Sequence, residues 1–102
     1  SKSMFEYWTE DDFVSAFRKM LTIEQFRSEE MQKLYQQYLV AGPASYVKDL
    51  FDSMGFTNAK NKAVRFYAVM HFYYSLYDGA ADKEKVKVEF VSAIKSLVQE
   101  LK

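Results

Sequence analysis

Residues 63–77 read Ala-Val-Arg-Phe-Tyr-Ala-Val-Met-His-Phe-Tyr-Tyr-Ser-Leu-Tyr and are closed by Asp78-Gly79, and no other stretch restricts the fold as much. Six of these fifteen side chains are aromatic, and they do not share one side. At about 100° per residue, Ala63, Phe66, Tyr67, Met70, Tyr74 and Tyr77 form one face. Val69, Phe72, Tyr73 and Leu76 form a second, and Val64, Ala68, His71, Ser75 and Asp78 make a small or polar strip between them. A helix that is apolar nearly all round must be covered on more than one side. In a chain of 102 residues one cover is the protein's own core, and the other is expected to be a second copy. A face rich in Met and Tyr also makes a good wall for an apolar ligand pocket. Plain core helix and pocket wall therefore stand as two readings of the same residues.

The remaining punctuation is helical. Three glycines and one proline leave little material for β-turns. Thr9 ahead of Glu10-Asp11-Asp12 reads as a helix N-cap with carboxylates at the positive end of the dipole. Phe13, Phe17, Met20, Leu21 and Phe26 carry that first helix over about 10–26. Upstream, Met4, Phe5, Tyr7 and Trp8 are too apolar for a free tail and read as the stub of an earlier helix lying on the core. Ser28 before Glu29-Glu30 is a second N-cap, and the pattern runs through Met31, Leu34, Tyr35, Tyr38 and Leu39 to Gly42-Pro43. Proline cannot donate to the preceding turn, so one kinked helix over 29–54 is favoured over two short ones, with Gly55 as its terminal glycine. The aromatic helix follows from Asn58 to Gly79. A last helix opens at Asp82, its Val86, Phe90, Val91, Ala93, Ile94, Leu97, Val98 and Leu101 spanning an arc wider than one neighbouring helix needs. The fold class is all-α: one antiparallel bundle of four to five helices over 1–102, in which 1–8 is a stub or tag remnant.

Composition narrows the function classes. Fourteen basic and fourteen acidic residues cancel, with no basic run or stripe to meet nucleic acid or an anionic membrane. No cysteine is present, so disulfides and thiolate chemistry are excluded and the cytoplasm is the default location. No apolar run suits a transmembrane helix, and the start of the chain shows no signal-peptide pattern. It opens Ser1-Lys2-Ser3-Met4, as an excised piece with a tag remnant would.

Catalysis has little to work with. His71 is the sole histidine, with no carboxylate three or four residues before it, so a helical metal-binding pair is absent and no metal or cofactor is expected. Asp11-Asp12 and Glu29-Glu30 look like paired acids but sit where first helical turns want negative charge. There is no phosphate loop and no nucleophile elbow. No catalytic residues are assigned and the chain reads as a non-enzyme. His71 lies on the polar strip, either hydrogen-bonded in the core or a dimer seam, or as a polar contact in a pocket.

Several strings resemble the C-terminal half of TetR-type transcriptional repressors. They are Met20-Leu21-Thr22-Ile23-Glu24-Gln25-Phe26-Arg27, Glu29-Glu30-Met31 through Leu34-Tyr35-Gln36-Gln37-Tyr38, Gly42-Pro43 with Tyr46 and Leu50-Phe51, and Phe66-Tyr67-Ala68 through Ser75-Leu76-Tyr77-Asp78-Gly79. The resemblance spans about residues 10–101. It implies a regulatory domain over 9–101 that binds an effector and dimerises, with the last two helices pairing with their symmetry mates as a four-helix bundle. The family's helix-turn-helix domain has no counterpart here, so operator DNA would be met only through that missing N-terminal domain.

The resulting expectations are specific. A small hydrophobic or aromatic effector is expected between the first helix, the kinked helix and the inner face of the aromatic one, lined by Phe17, Met20, Tyr35, Tyr38, Phe51, Met54, Tyr67, Met70, His71 and Tyr74. A homodimer is expected through Val69, Phe72, Tyr73, Leu76, Phe90, Val91, Ile94, Leu97, Val98 and Leu101. The rival is a self-contained helical module that docks a partner protein through its aromatic faces and has no small-molecule pocket. A weaker rival, a small enzyme working in an apolar cavity, needs a polar constellation that the sequence does not supply.

Overall fold

The computed structural model describes residues 2–102, and every regular element in that span is helical. The elements are α1 (Lys2–Glu10), α2 (Asp12–Glu24), α3 (Glu29–Tyr35), α4 (Ala41–Ser53), α5 (Ala59–Gly79) and α6 (Lys83–Leu101). A π-helical turn, Gln36–Val40, joins α3 to α4 without a break. Taken as one interrupted helix, α3–α4 is the kinked helix expected from Gly42-Pro43, and the described residues form a bundle of five helical rods.

Most boundaries lie where short polar side chains and glycine put them. Ser28 accepts from the Met31 amide at 3.2 Å and Asp82 from the Lys85 amide at 3.1 Å. Gly55, at φ +82°, closes α4. Its amide donates to the Asp52 carbonyl and the Phe56 amide to the Phe51 carbonyl, both at 3.0 Å. This is a Schellman closure, and the expected apolar contact is present, with the Phe51 and Phe56 rings 5.1 Å apart.

The N-terminal region differs from expectation. Thr9 is not a cap: it is buried within α1 and its hydroxyl donates back to the Phe5 carbonyl at 2.7 Å. Asp11, with extended backbone, caps α2 by accepting from the Val14 amide at 2.9 Å. The helix expected over about 10–26 is α2, two residues shorter at each end, and Asp11 is the bend that separates it from α1. Residues 2–8 belong to α1, a helix that lies on the core as their apolar side chains suggested, while Ser1 lies outside the described residues. Phe5 is fully buried, stacked on Phe90 at 4.2 Å and on Tyr74 at 5.5 Å, with Tyr77 edge-on at 5.7 Å. An aromatic cluster of this kind stabilises beyond the area it removes from water.

Around that cluster α5 and α6 run antiparallel. At one end α1 covers Tyr74, Tyr77, Val86 and Phe90. At the other end Val47 and Phe51 of α4 cover Ala59, Ala63, Leu97 and Leu101. Two polar ties hold the short helices. Arg18 of α2 is buried and makes a two-pronged pair with Asp78 at 2.8 and 2.7 Å, while its Nε donates to the Trp8 carbonyl at 3.1 Å. Lys87 of α6 reaches Glu6, Glu10 and Glu84 at 3.1, 2.8 and 3.3 Å. The whole measures 39 × 34 × 17 Å, a plate about two helices thick.

The π-helical turn has a covalent cause. Pro43 has no N–H, so the Leu39 carbonyl four residues earlier has no helical donor, and the proline ring crowds that same carbonyl. The backbone widens by one residue, and the Ala41 amide reaches the Gln36 carbonyl instead. The Tyr67 hydroxyl of α5 donates to the stranded Leu39 oxygen. Gly42 completes the arrangement: a Cβ there would stand 1.8 Å from the Gln37 carbonyl oxygen. Gly42→Ala therefore has to displace backbone and should destabilise by about 2 kcal/mol, which a thermal melt would read as a fall of about 10 °C. Gly79→Ala, with open space around the site, should leave the melt within ~2 °C.

Candidate functional site

Beside this turn lies a cavity of about 450 Å³. Its floor is the inner face of α5, where Phe66, Tyr67, Met70 and Tyr74 recur at helical spacing. One wall is Gln37 and Tyr38 of the π-helical turn with Gly42, Pro43, Tyr46, Val47, Leu50 and Phe51 of α4. Met4 and Trp8, one turn apart on α1, form the other. The deep residues Val47, Phe51, Tyr67, Met70 and Tyr74 are buried, whereas Met4, Tyr38, Tyr46 and Leu50 are exposed and mark the mouth. No lining side chain is charged. The cavity is thus an apolar cleft with a few hydroxyls and one amide, of the size range small-molecule sites occupy.

Of the ten expected ligand-contacting residues, Tyr38, Phe51, Tyr67, Met70 and Tyr74 line this space; Phe17, Met20, Tyr35, Met54 and His71 do not. The corrections have local causes. Phe17 meets Tyr38 edge-on at 5.5 Å and stands outside the wall that Tyr38 forms. Met20 and Met54 face solvent. Tyr35 is half-buried ahead of the widened turn and near enough to Tyr67 for the two phenols to interact, yet it is not part of the lining. His71 follows Met70 by one residue and turns about 100° from it; it is half-buried, edge-on to Tyr67 at 5.9 Å. The first-helix wall of the expected pocket is replaced by α1, through Met4 and Trp8.

The expected dimer surface divides in the same way. Phe90, Ile94, Leu97 and Leu101 are buried against α1, α4 and α5, so they belong to the chain's own core and not to a free seam. Val69, Tyr73, Val91 and Val98 are half-buried at its edge. Phe72 and Leu76 remain open to solvent at 59% and 40% exposure, and Val88 of α6 is exposed as well.

Sequence reasoning missed the wall residues Met4, Trp8, Gln37, Gly42, Pro43, Tyr46, Val47, Leu50 and Phe66. One signal was available: Pro43 strands a carbonyl, and a stranded buried carbonyl draws a donor such as Tyr67 to that place. It also missed the pairing of Arg18 with Asp78, residues 60 positions apart, which no local pattern announces.

Burial shapes the titrating groups. It holds the Tyr67 and Tyr74 phenols well above their usual value, so both stay protonated donors. It lowers His71 below 6.5, assisted by the positive charge of Arg18. No group of three or more possible metal ligands occurs among the described residues, and no helix there is long and apolar enough to cross a membrane. Set beside protein-family models, curated proteins and solved structures, the chain matches none.

A depressed histidine favours the neutral ring in the folded state, so its contribution to stability is complete above the unfolded value and declines as pH falls through the folded one. A proton NMR titration of His71 should show a midpoint below 6.5 in the native protein, returning to about 6.5 in urea.

Proposed function

We propose that this chain is an effector-sensing and dimerisation domain of a TetR-like transcriptional regulator. In this reading the cavity between α1, the π-helical turn and α5 takes up a small neutral hydrophobic or aromatic molecule. The cavity is the observation that carries the proposal: it is large, open at one side, apolar, and free of charge. Its lining holds no nucleophile with a base beside it, which suits binding without chemistry. The family assignment rests on the sequence strings, and cytoplasmic location follows from that reading.

Reading DNA then falls to a separate helix-turn-helix domain, since a net charge of zero with dispersed cations lacks the electrostatic term behind even non-specific binding. A ligand acts by fitting one arrangement of the cavity's helices better than another. Trp8 belongs to the wall and also accepts from Arg18, so α2 is linked to the wall's position. The other reading, a module that docks a partner protein, is favoured by Phe13, Ile23 and Phe26, which are 78%, 76% and 86% exposed.

A thermal-shift screen of neutral aromatic compounds tests the sensor reading. A true ligand at a hundredfold excess over its Kd should contribute about 2.7 kcal/mol and raise the melt by about 10 °C. It should also change the emission of Trp8, the one tryptophan of the chain and part of the wall. No shift and an unchanged emission across the screen would leave the interaction module as the better account.

Dimerisation is proposed through the outer faces of α5 and α6, around Phe72, Leu76 and Val88. The accessible surface, 6621 Å², exceeds the about 6,000 Å² expected of a compact monomer of this mass. Sedimentation at micromolar concentration should give a dimer and Phe72→Glu a monomer with an unchanged helical spectrum. A monomeric unmutated chain would refute the proposal.

A further inference from the structure

The three tyrosines that α5 turns inward toward the core are Tyr67, Tyr74 and Tyr77, all buried. Tyr67 gives its hydroxyl proton to the Leu39 carbonyl, and Tyr77 donates to the Glu10 carboxylate at 3.1 Å. Tyr74 is the most buried of them, only 3% exposed, and its hydroxyl meets no hydrogen-bond partner among the described residues. Yet among those residues no side-chain polar atom sealed from solvent is left unpartnered. The Tyr74 oxygen therefore borders open space, and the space that Tyr74 lines is the cavity. The ring is not free to turn away. It is stacked on Phe5 at 5.5 Å and lies under the Arg18 guanidinium at 5.3 Å. A phenol fixed in this way, kept protonated by its surroundings, presents one O–H donor to whatever fills the cavity.

The same geometry restricts the charge of the occupant. The nearest cation, Arg18, is committed to Asp78 and the Trp8 carbonyl and is not part of the lining. An anion in the cavity would leave water without a counter-charge.

We infer that the ligand is an uncharged molecule with an apolar frame and one carbonyl- or ether-type oxygen, and that the Tyr74 hydroxyl donates a hydrogen bond to that oxygen. The inference rests on the sensor reading above and assigns Tyr74 as the residue that orients the ligand and selects its class.

Three naphthalene probes of similar size make the test. 6-Propionyl-2-dimethylaminonaphthalene is neutral and carries one ketone, N-phenyl-1-naphthylamine is neutral without an oxygen, and 1-anilinonaphthalene-8-sulfonate is the anion. The unmutated protein should bind the ketone about fivefold more tightly than the arylamine, the usual reach of one neutral hydrogen bond, and the sulfonate least tightly. Tyr74→Phe should erase the preference for the ketone and leave arylamine binding within twofold. It should also shift the bound ketone's emission to the blue, since its carbonyl loses a donor. A preference that survives Tyr74→Phe, or a sulfonate that binds best, would overturn the inference while keeping the cavity as a binding site. If none of the three binds the unmutated protein, the sensor reading itself fails, and the inference with it. A Tyr74→Phe variant whose melt differs by more than a few degrees is replaced by comparing the three probes on the unmutated protein alone, where equal affinities for ketone and arylamine count against the assignment.

Discussion

The missing N–H of Pro43 sets the geometry on which the rest of the molecule depends. One absent donor strands the Leu39 carbonyl, and the helix answers by widening into a π-helical turn rather than by ending. Widening brings the Gln37 oxygen against Gly42, where only a glycine fits, and directs the Leu39 oxygen at α5, where Tyr67 supplies the donor. A defect in one helix thus becomes a specific contact between two. Because the turn adds a residue, α4 starts with its apolar face rotated relative to α3. Between the turn, α4 and the inner face of α5 a space remains at one side. The cavity lies in that space.

What closes the cavity comes from farther along the sequence. Phe5 fills the junction of α5 and α6, so α1 is a structural part of the core, and its neighbours Met4 and Trp8 become wall. Arg18 then secures α2 to both α1 and the end of α5 through charge-assisted bonds. A buried arginine is costly without partners, and here its donors are met by a carboxylate and a carbonyl. These contacts explain why a helix of nine residues, α1, too short to persist alone in water, is held in place.

Much of the fold was legible because it rests on local rules. The inner face of α5, with Ala63, Tyr67, Met70, Tyr74 and Tyr77 buried, follows from periodicity, and Ser28, Gly55 and Asp82 each mark a boundary through a bond within a few residues. Five of the fourteen residues lining the candidate site were legible for the same reason. The rest failed at two kinds of place. A uniform helical step cannot see the turn that Pro43 causes, so Gln37, Gly42 and Pro43 were not expected in the wall. Hydrophobicity has no direction, so the apolar arc of α6 could not tell that Phe90, Ile94, Leu97 and Leu101 answer to α1, α4 and α5 instead of to a second chain. Phe5 was undervalued because its partner Phe90 is nearly the whole chain away.

That separation bears on the order in which the molecule assembles. Contacts among α4, α5 and α6 join helices that follow one another, and such local contacts form quickly because little loop entropy opposes them. The stacking of Phe5 on Phe90 joins the two ends of the described chain and is favoured only once its docking surface exists. Contacts among α4, α5 and α6 do not require α1, whereas Phe5 has its docking surface only where α5 and α6 are already paired. The cleft has its second wall only where α1 is docked. A chain from which α1 has frayed keeps the aromatic floor of the cleft but loses the enclosure that Met4 and Trp8 supply.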